Sequence, residues 1–549
     1  MSNRTIQENL SLLQQTRQNI SVALSGKGAS VTGAFSTFPD KVKNLNHINE
    51  FMSSIMDGSV SMNNPVIDAA SKRREIKESA FEGCSGLTGS LVIGDNIWRI
   101  NSSAFLGCTG LNGTLTIGSG VTNIGSDVFY GCSGFTGNLV IPDSVTSIGI
   151  YAFYGCSGFI GNLVIPDSVT RIDTYTFYNC TGLNGTLTMG PRVTFIGSCA
   201  FYGCSGLTGN LVIPDTVTTI GGSAFYNCSG FNGTLTIGSG VTYIGTYAFY
   251  RCSGLNGPLT IGPKVTGIGG HAFYECSGLN GTLTIGSGVT TIGSHAFYAC
   301  SGLTGNLVIP DSVTKIDTYA FYRCSGLNGT ITMGSRVTFI GSEAFYMCSG
   351  LTGSLVIPGT VASIGNRAFS MCYGLNGTLT IGSGVTNIGT EAFYGCSGLT
   401  GNLVIPDSVT TLNIYCFYGC SGFNGTLTIG SSVTSIPFDS FRGCSGFIGN
   451  LVIPDSVASI GYDSFNGCSG LNGTLTIGTG VTVIGASAFY DIPNLQSMTI
   501  LATTPPLLSN NSNALGQTDY SYPIYVPAAS VDAYKSKYTH YASRIQAIP

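Results

Sequence analysis

Charge is what this sequence has least of. Only 9% of its 549 residues are Asp, Glu, Lys or Arg, where ~25% is usual. The net charge of −4 is spread thin. No basic stripe exists that could neutralise a run of phosphates, which argues against nucleic acid as a partner. Histidine is nearly as scarce: His47, His271, His295 and His540 are the whole set. They form no Ser-His-Asp or Cys-His pattern, and no phosphate loop is readable, so neither an enzyme nor a cofactor is expected. His271 and His295 stand one repeat apart and a metal between them is conceivable, but variation at an exposed position explains them as well, and no metal site is expected. The repeated aspartates Asp143, Asp167, Asp215, Asp311, Asp407 and Asp455 follow Pro and start turns, without the Gly-Gly-x-Gly-x-Asp context of calcium repeats. No run approaches the ~18 apolar residues of a membrane span. The start, MSNRTIQENLSLLQQTRQNI, lacks the apolar core and cleavage site of a secretory signal, and the end, RIQAIP, shows no anchor. The expectation is a soluble chain which, outside a cell, is carried there by something other than its own signal.

What is abundant is repetition. Cysteine recurs at every 24th position from Cys84 to Cys468, and only Cys199 and Cys416 of the 19 lie off that lattice. Phenylalanine keeps the same period three residues earlier, from Phe81 to Phe489. A strict period of this size means a solenoid, with apolar residues filling one continuous core. Equivalent cysteines on adjacent coils stack at about the ~4.8 Å strand spacing with parallel side chains, whereas a disulfide needs Cβ atoms ~3.5 to 4.5 Å apart and facing each other. A ladder of buried thiols is expected.

In the stretch Leu115 to Asn138, Leu115 and Ile117 have the period of a strand with Thr116 outward. Val121 and Ile124 suggest a second extended piece. Val128, Phe129 and Cys132 fit one helical turn, with Phe135 also inward. Gly118, Gly125, Gly131, Gly134 and Gly137 are expected at corners where φ is positive. The Asn-Gly-Thr triplets, such as Asn112 to Thr114, match a glycosylation sequon but are better explained as turns. One coil buries too little to stand alone, so stability belongs to the array and its caps. Leu163 to Pro214 closely matches Leu307 to Pro358, as if the array had grown by duplicating blocks of six coils.

Four regions are expected: residues 1–50 a helical attachment module, 51–75 a linker and N-terminal cap, 76–490 the repeat array of about 17–18 coils, and 491–549 a C-terminal cap. In the first, Ile6, Leu10, Leu13, Ile20 and Leu24 line one face of a helix, and Pro39 opens a second short helix. That face either packs on its own domain or supports docking or self-association into a homo-oligomer. In the last, Ser530 is the expected N-cap of a helix carrying Val531, Tyr534 and Tyr538.

Ile141, Pro142, Val145, Thr146, Ile148, Gly149, Ala152, Phe153, Cys156 and Phe159 spell a pattern that resembles the BspA-like leucine-rich repeats of bacterial surface proteins, with one extra residue per coil. The resemblance implies a leucine-rich-repeat solenoid of 24-residue coils, mainly short β-strands plus short helical turns, here with a helical N-terminal adaptor. Thr503 to Pro506, Ile524 to Pro527, Ser530, Val531, Tyr534, Lys535 and Ile545 resemble the module that closes many such proteins. Ile20, Ala23, Leu24, Lys27, Gly28, Val31, Phe38, Pro39, Lys41 and Val42 resemble the N-terminal module of many phage tail and fibre proteins, which implies attachment to virion structural proteins through residues 1–50.

Two sets of residues are candidates for receptor binding. A tyrosine follows the lattice Phe in most coils: Tyr130, Tyr154, Tyr178, Tyr202, Tyr226, Tyr250, Tyr274, Tyr298, Tyr322 and Tyr346 form the longest series. With Phe inward, these point sideways or outward, either as partly packed stacking or as a platform for sugar rings or a protein partner. Variation is concentrated before the repeat Ile, including Arg171, Phe195, Tyr243, Lys315 and Phe339, and in the pair before Ala-Phe, such as Ile150-Tyr151 and Gly270-His271. A constant frame with variable outward positions suits recognition, and neutral drift explains it equally. Together these imply a non-enzymatic virion fibre or adhesin that attaches by its N-terminus and touches a host-surface glycan or protein. The alternatives are a BspA-like adhesin on the bacterial cell surface, or a structural spacer without ligand.

Overall fold

The computed structural model describes residues 66–67, 74–509 and 513–549. The attachment residues Ile6, Leu10, Leu13, Ile20 and Leu24, and with them the helical adaptor and its oligomer contact, lie outside the described residues. The chain divides into two compact units, Met1–Gly209 and Asn210–Pro549. Each is a stack of coils of about 24 residues whose strands all pair in parallel, residue against its repeat equivalent.

In the first unit, Leu91–Ile93 pairs with Leu115–Ile117, Leu91 facing Leu115. A second row runs through Arg74–Ile76, Ile97–Ile100, Asn123–Ile124 and Ser147–Ile148. In the second unit that row is longer, each strand from Thr219–Ile220 to Thr411–Leu412 pairing with the next. The alternation follows from the sequence: Leu115 and Ile117 are buried with Thr116 exposed between them, as expected for a strand with one face on the core. Inside, Phe249, Phe273 and Phe297 are fully buried and stack in file at 5.2 and 5.3 Å.

The expected helical turn is not formed. Residues 127–132 instead make chained three-residue turns, Tyr130 N–H to Asp127 O at 3.2 Å and Cys132 N–H to Phe129 O at 3.0 Å. Alternate amides leave the coil, Phe129 N–H donating to Ala152 O at 2.8 Å and Gly131 N–H to Tyr154 O at 2.7 Å. The cause is backbone hand. Asp127 has φ 56° and Gly131 φ 71°, and left-handed residues interrupt a right-handed helix. Among the described residues the only α-helix is Val531–Lys537.

The glycines divide into two kinds. Gly131 and Gly137 do have positive φ. Gly134 does not, and is required for another reason: a Cβ there would lie 2.5 Å from Leu111 O of the preceding coil. The Asn-Gly-Thr turns are tied across coils, the Gly89 amide donating to Asn112 Oδ1 at 2.9 Å.

All 19 cysteines carry unbridged thiols, as the spacing predicts. The lattice thiols have a use beyond filling space: Cys132 Sγ donates to Phe105 O at 3.1 Å, and the same bond recurs coil after coil. Burial pushes the Cys132 thiol up to about 12.

At the C-terminal end, strand pairing continues through Thr474–Ile477, Ser497–Ile500, Ile524–Val526 and Ile545–Ala547. The helix Val531–Lys537 covers the apolar end, with Tyr534 and Tyr538 buried and donating to Ala502 O and Pro506 O, each at 2.6 Å. Ser530 precedes this helix but does not cap it. Its hydroxyl donates to Thr503 O at 2.7 Å, tying the helix to the strand side.

Candidate functional site

The tyrosines that follow the lattice phenylalanines form ladders. Each ring sits at the end of a left-handed turn, half-buried, so that its neighbour one coil away is directly alongside. In the first unit Tyr130, Tyr154, Tyr178 and Tyr202 stack at 4.4, 4.5 and 4.6 Å. In the second, Tyr226, Tyr250, Tyr274, Tyr298, Tyr322 and Tyr346 stack at 4.5 to 5.0 Å. The row breaks at Ser370, whose buried hydroxyl has no hydrogen-bond partner, and resumes with Tyr394 against Tyr418 at 4.9 Å.

A second row runs beside the first, three residues earlier in each coil, and includes Tyr151 and His271 of the variable pair before Ala-Phe. Its members occupy the left-handed position of each turn: Tyr151 and Tyr175 in the first unit, Tyr247, His271, His295 and Tyr319 in the second, with φ from 57° to 60°. A non-glycine residue held there is strained by about 1–2 kcal/mol, so the inter-coil hydrogen bonds, such as His271 N–H to Ser294 O at 2.8 Å, must over-determine it. These rings stack too: Tyr247 on His271 at 4.5 Å, His271 on His295 at 4.4 Å, and His295 on Tyr319 at 4.5 Å. A recurrence of aromatic residues at 24-residue spacing was the available signal, partly hidden by His, Ser, Cys and Glu at the same position.

In the second unit the two rows enclose a groove of ≈ 460 Å³. Tyr247, His271, His295 and Tyr319 form one wall, Tyr250, Tyr274, Tyr298 and Tyr322 the other, with Glu343 at one end. The walls meet at an angle, Tyr247 against Tyr250 at 62° and Tyr319 against Tyr322 at 66°. Burial, reinforced by the His295 charge, lowers the His271 pKa to about 4, and burial also lowers that of His295. Both imidazoles are therefore neutral at pH 7. Burial, then the charge of Glu275, pushes the Tyr274 hydroxyl up to about 12. Beyond the groove the second row turns from aromatic to charged: Arg367 makes a two-pronged pair with Glu391 at 2.8 and 3.0 Å.

The other expected residues lie elsewhere. Arg171 and Phe195 face each other on paired strands of the first unit, the guanidinium 4.2 Å above the ring and 3.3 Å from Asp173. Lys315 and Phe339 repeat that arrangement in the second, the ammonium 5.6 Å above the ring and 2.9 Å from Asp317. Tyr243, 43% exposed, lies over Gly267. None of these five lines the groove.

The arrangement offers stacked rings, phenol hydroxyls and neutral imidazoles. Among the described residues no group of three or more His, Cys, Asp or Glu could hold a metal ion, and no helix is long and apolar enough to cross a membrane.

Comparison with known proteins finds a match to the family described as BspA type leucine rich repeat region, over residues 74–208, 185–304, 268–400 and 386–510. No curated protein matches. Solved structures similar to this chain include a leucine-rich repeat protein from Bacteroides ovatus, 26% identical over 69% of this chain and 82% of that one, TM-score 0.44. A leucine rich cell surface protein from Faecalibacterium prausnitzii is 24% identical over 62% and 87%, TM-score 0.34. The pneumococcal vaccine antigen PcpA is 17% identical over 70% and 87%, TM-score 0.31.

Proposed function

Because the chain belongs to the BspA-type leucine-rich-repeat family, we propose that it is a non-enzymatic adhesin, displayed at the bacterial cell surface, which recognises a glycan or protein with its repeat array. The observation that carries this reading is the groove between two aromatic rows. Its second wall sets four consecutive aromatic rings, Tyr247, His271, His295 and Tyr319, at a turn position that other coils fill with Ser, Asp, Glu or Arg. Ring edges and hydroxyls in a pre-ordered frame lose little freedom on binding. Supporting the recognition reading over catalysis is the neutral, charge-poor lining of the groove.

A second reading, a virion fibre, is favoured by one sequence observation, the resemblance of Ile20 to Val42 to phage tail modules. On that reading residues 1–50 dock on virion structural proteins and the groove meets the host.

The first test is the binding of labelled full-length chain to intact cells, compared with the Tyr250→Ala/Tyr274→Ala/Tyr298→Ala variant. Loss of binding supports recognition by the groove; undiminished binding removes it. Deleting residues 1–50 separates the two settings. A virion protein is lost from particles by that deletion, whereas a chain absent from particles to begin with, or retained in them after deletion, is not attached in that way.

A further inference from the structure

The walls of the groove present edges, not faces. Tyr250, Tyr274, Tyr298 and Tyr322 stack with planes within 11° of parallel. A ring covered on both sides has no face left on which a sugar can lie, so the platform suggested by the sequence is not what Tyr274 and Tyr298 offer. What they and the opposite wall offer, once per coil, is an edge with a neutral donor or acceptor. The single carboxylate, Glu343, is already engaged, accepting from Tyr319 Oη at 3.4 Å and lying 3.9 Å from Arg367.

We infer that this groove takes a linear, uncharged glycan lying along the file of coils, about one sugar unit to each coil, held by hydroxyl-to-hydroxyl hydrogen bonds rather than by ring stacking. The inference rests on the recognition reading above and specifies its ligand. Three observations carry it. Apart from Glu343, which is paired with Arg367, the lining is uncharged, so a neutral polyol exchanges hydrogen bonds there without burying an unpaired charge. The repeat is that of stacked parallel strands, ~4.8 Å, close to the advance of one pyranose ring in a linear chain. Extended peptide advances ~3.3 Å per residue and drifts out of register within a few coils. Glu343 closes one end against polyanions, and its pairing with Arg367 leaves no strong site for a cation.

The test is calorimetric titration of the full chain with neutral linear oligosaccharides of increasing length, alongside anionic oligosaccharides and extended peptides. Affinity should climb with length up to the four coils that the groove spans. Tyr274→Phe and Tyr298→Phe keep both ring stacks and should each weaken binding about 2- to 10-fold. Tyr154→Phe, in the first unit, should change nothing. Length-independent affinity, indifference to both groove variants, or binding of peptides or polyanions alone overturns the assignment. If cells bind the wild-type chain through the groove while no oligosaccharide does, recognition stands and the glycan falls. If neither cells nor any probe binds, both fall.

Discussion

Glycine positions that look alike in the repeat are predicted to respond in opposite ways to one methyl group. Gly278 has ordinary φ, yet a Cβ there would stand 2.3 Å from Ser253 O and 2.6 Å from Leu255 O of the preceding coil. Both obstacles are backbone, so neither can swing aside, and relief requires the two coils to separate locally. Overpacking of this kind costs about 1–3 kcal/mol. Gly262, earlier in the same coil, also lacks a positive φ, and a Cβ there meets nothing within 4 Å. Alanine at that site should stabilise by about 0.4–1 kcal/mol, because the unfolded chain loses freedom. Gly278→Ala and Gly262→Ala are therefore expected to differ by roughly 1.5–4 kcal/mol, from the same chemical change. In a stack where each coil touches only its neighbours the damage stays local. Hydrogen exchange of the amides that bridge adjacent coils, such as Phe249 N–H to Ala272 O, should accelerate in Gly278→Ala and not in Gly262→Ala. The urea midpoint should move the same way. If Gly278→Ala is as stable as the parent, close approach of coils is not what demands glycine there.

Other consequences follow from the core, the thiols, the histidines and the cap. Phe297, stacked between Phe273 at 5.3 Å and Phe321 at 5.1 Å, should lose about 3–5 kcal/mol on change to Ala, measured by denaturant unfolding. Burial raises the Cys276 and Cys348 thiols to about 12, so both should resist alkylation at pH 8 in the native chain and react once it is unfolded; rapid native labelling would contradict their burial. His271 titrates near 4 when folded and near 6.5 when unfolded. The unfolded chain therefore binds more protons between those values, and stability should be full above about pH 6.5 and decline as pH falls toward 4. A His271→Gln/His295→Gln variant should lose that slope in a pH series of thermal unfolding. Tyr538→Phe leaves Pro506 O without its donor and should cost about 0.5–1.5 kcal/mol, with fraying concentrated at the C-terminal helix.

Much of this fold is legible in the sequence because side-chain period and core position coincide. Phe129, Cys132, Ile124 and Leu115 were placed inward by spacing alone, and each is buried. The turn segment was misread for a physical reason. Val128, Phe129 and Cys132 have helical spacing, but Asp127 carries the left-handed conformation without being Gly or Asn, and hydrogen bonds to the next coil hold it there. Asp tolerates that conformation better than most residues, but Tyr151, Cys199 and Glu343 at the equivalent position carry no local propensity for it. The second wall of the groove is only partly legible: the variable pair that holds His271 suits recognition and drift equally, and the stacking of Tyr247, His271, His295 and Tyr319 into one row shows only in the structure. Gly134 and Gly131 look interchangeable in sequence, yet one is set by crowding and the other by φ.

Recognition by the groove is tested most directly by hydroxyl-radical footprinting of the full chain bound to its target cells. Protection should fall on Tyr250, Tyr274, Tyr298 and His295, leaving Tyr243 and Phe339 on the strand row as reactive as in the unbound chain. Protection confined to Tyr243 and Phe339, or none anywhere in the array, would contradict the account.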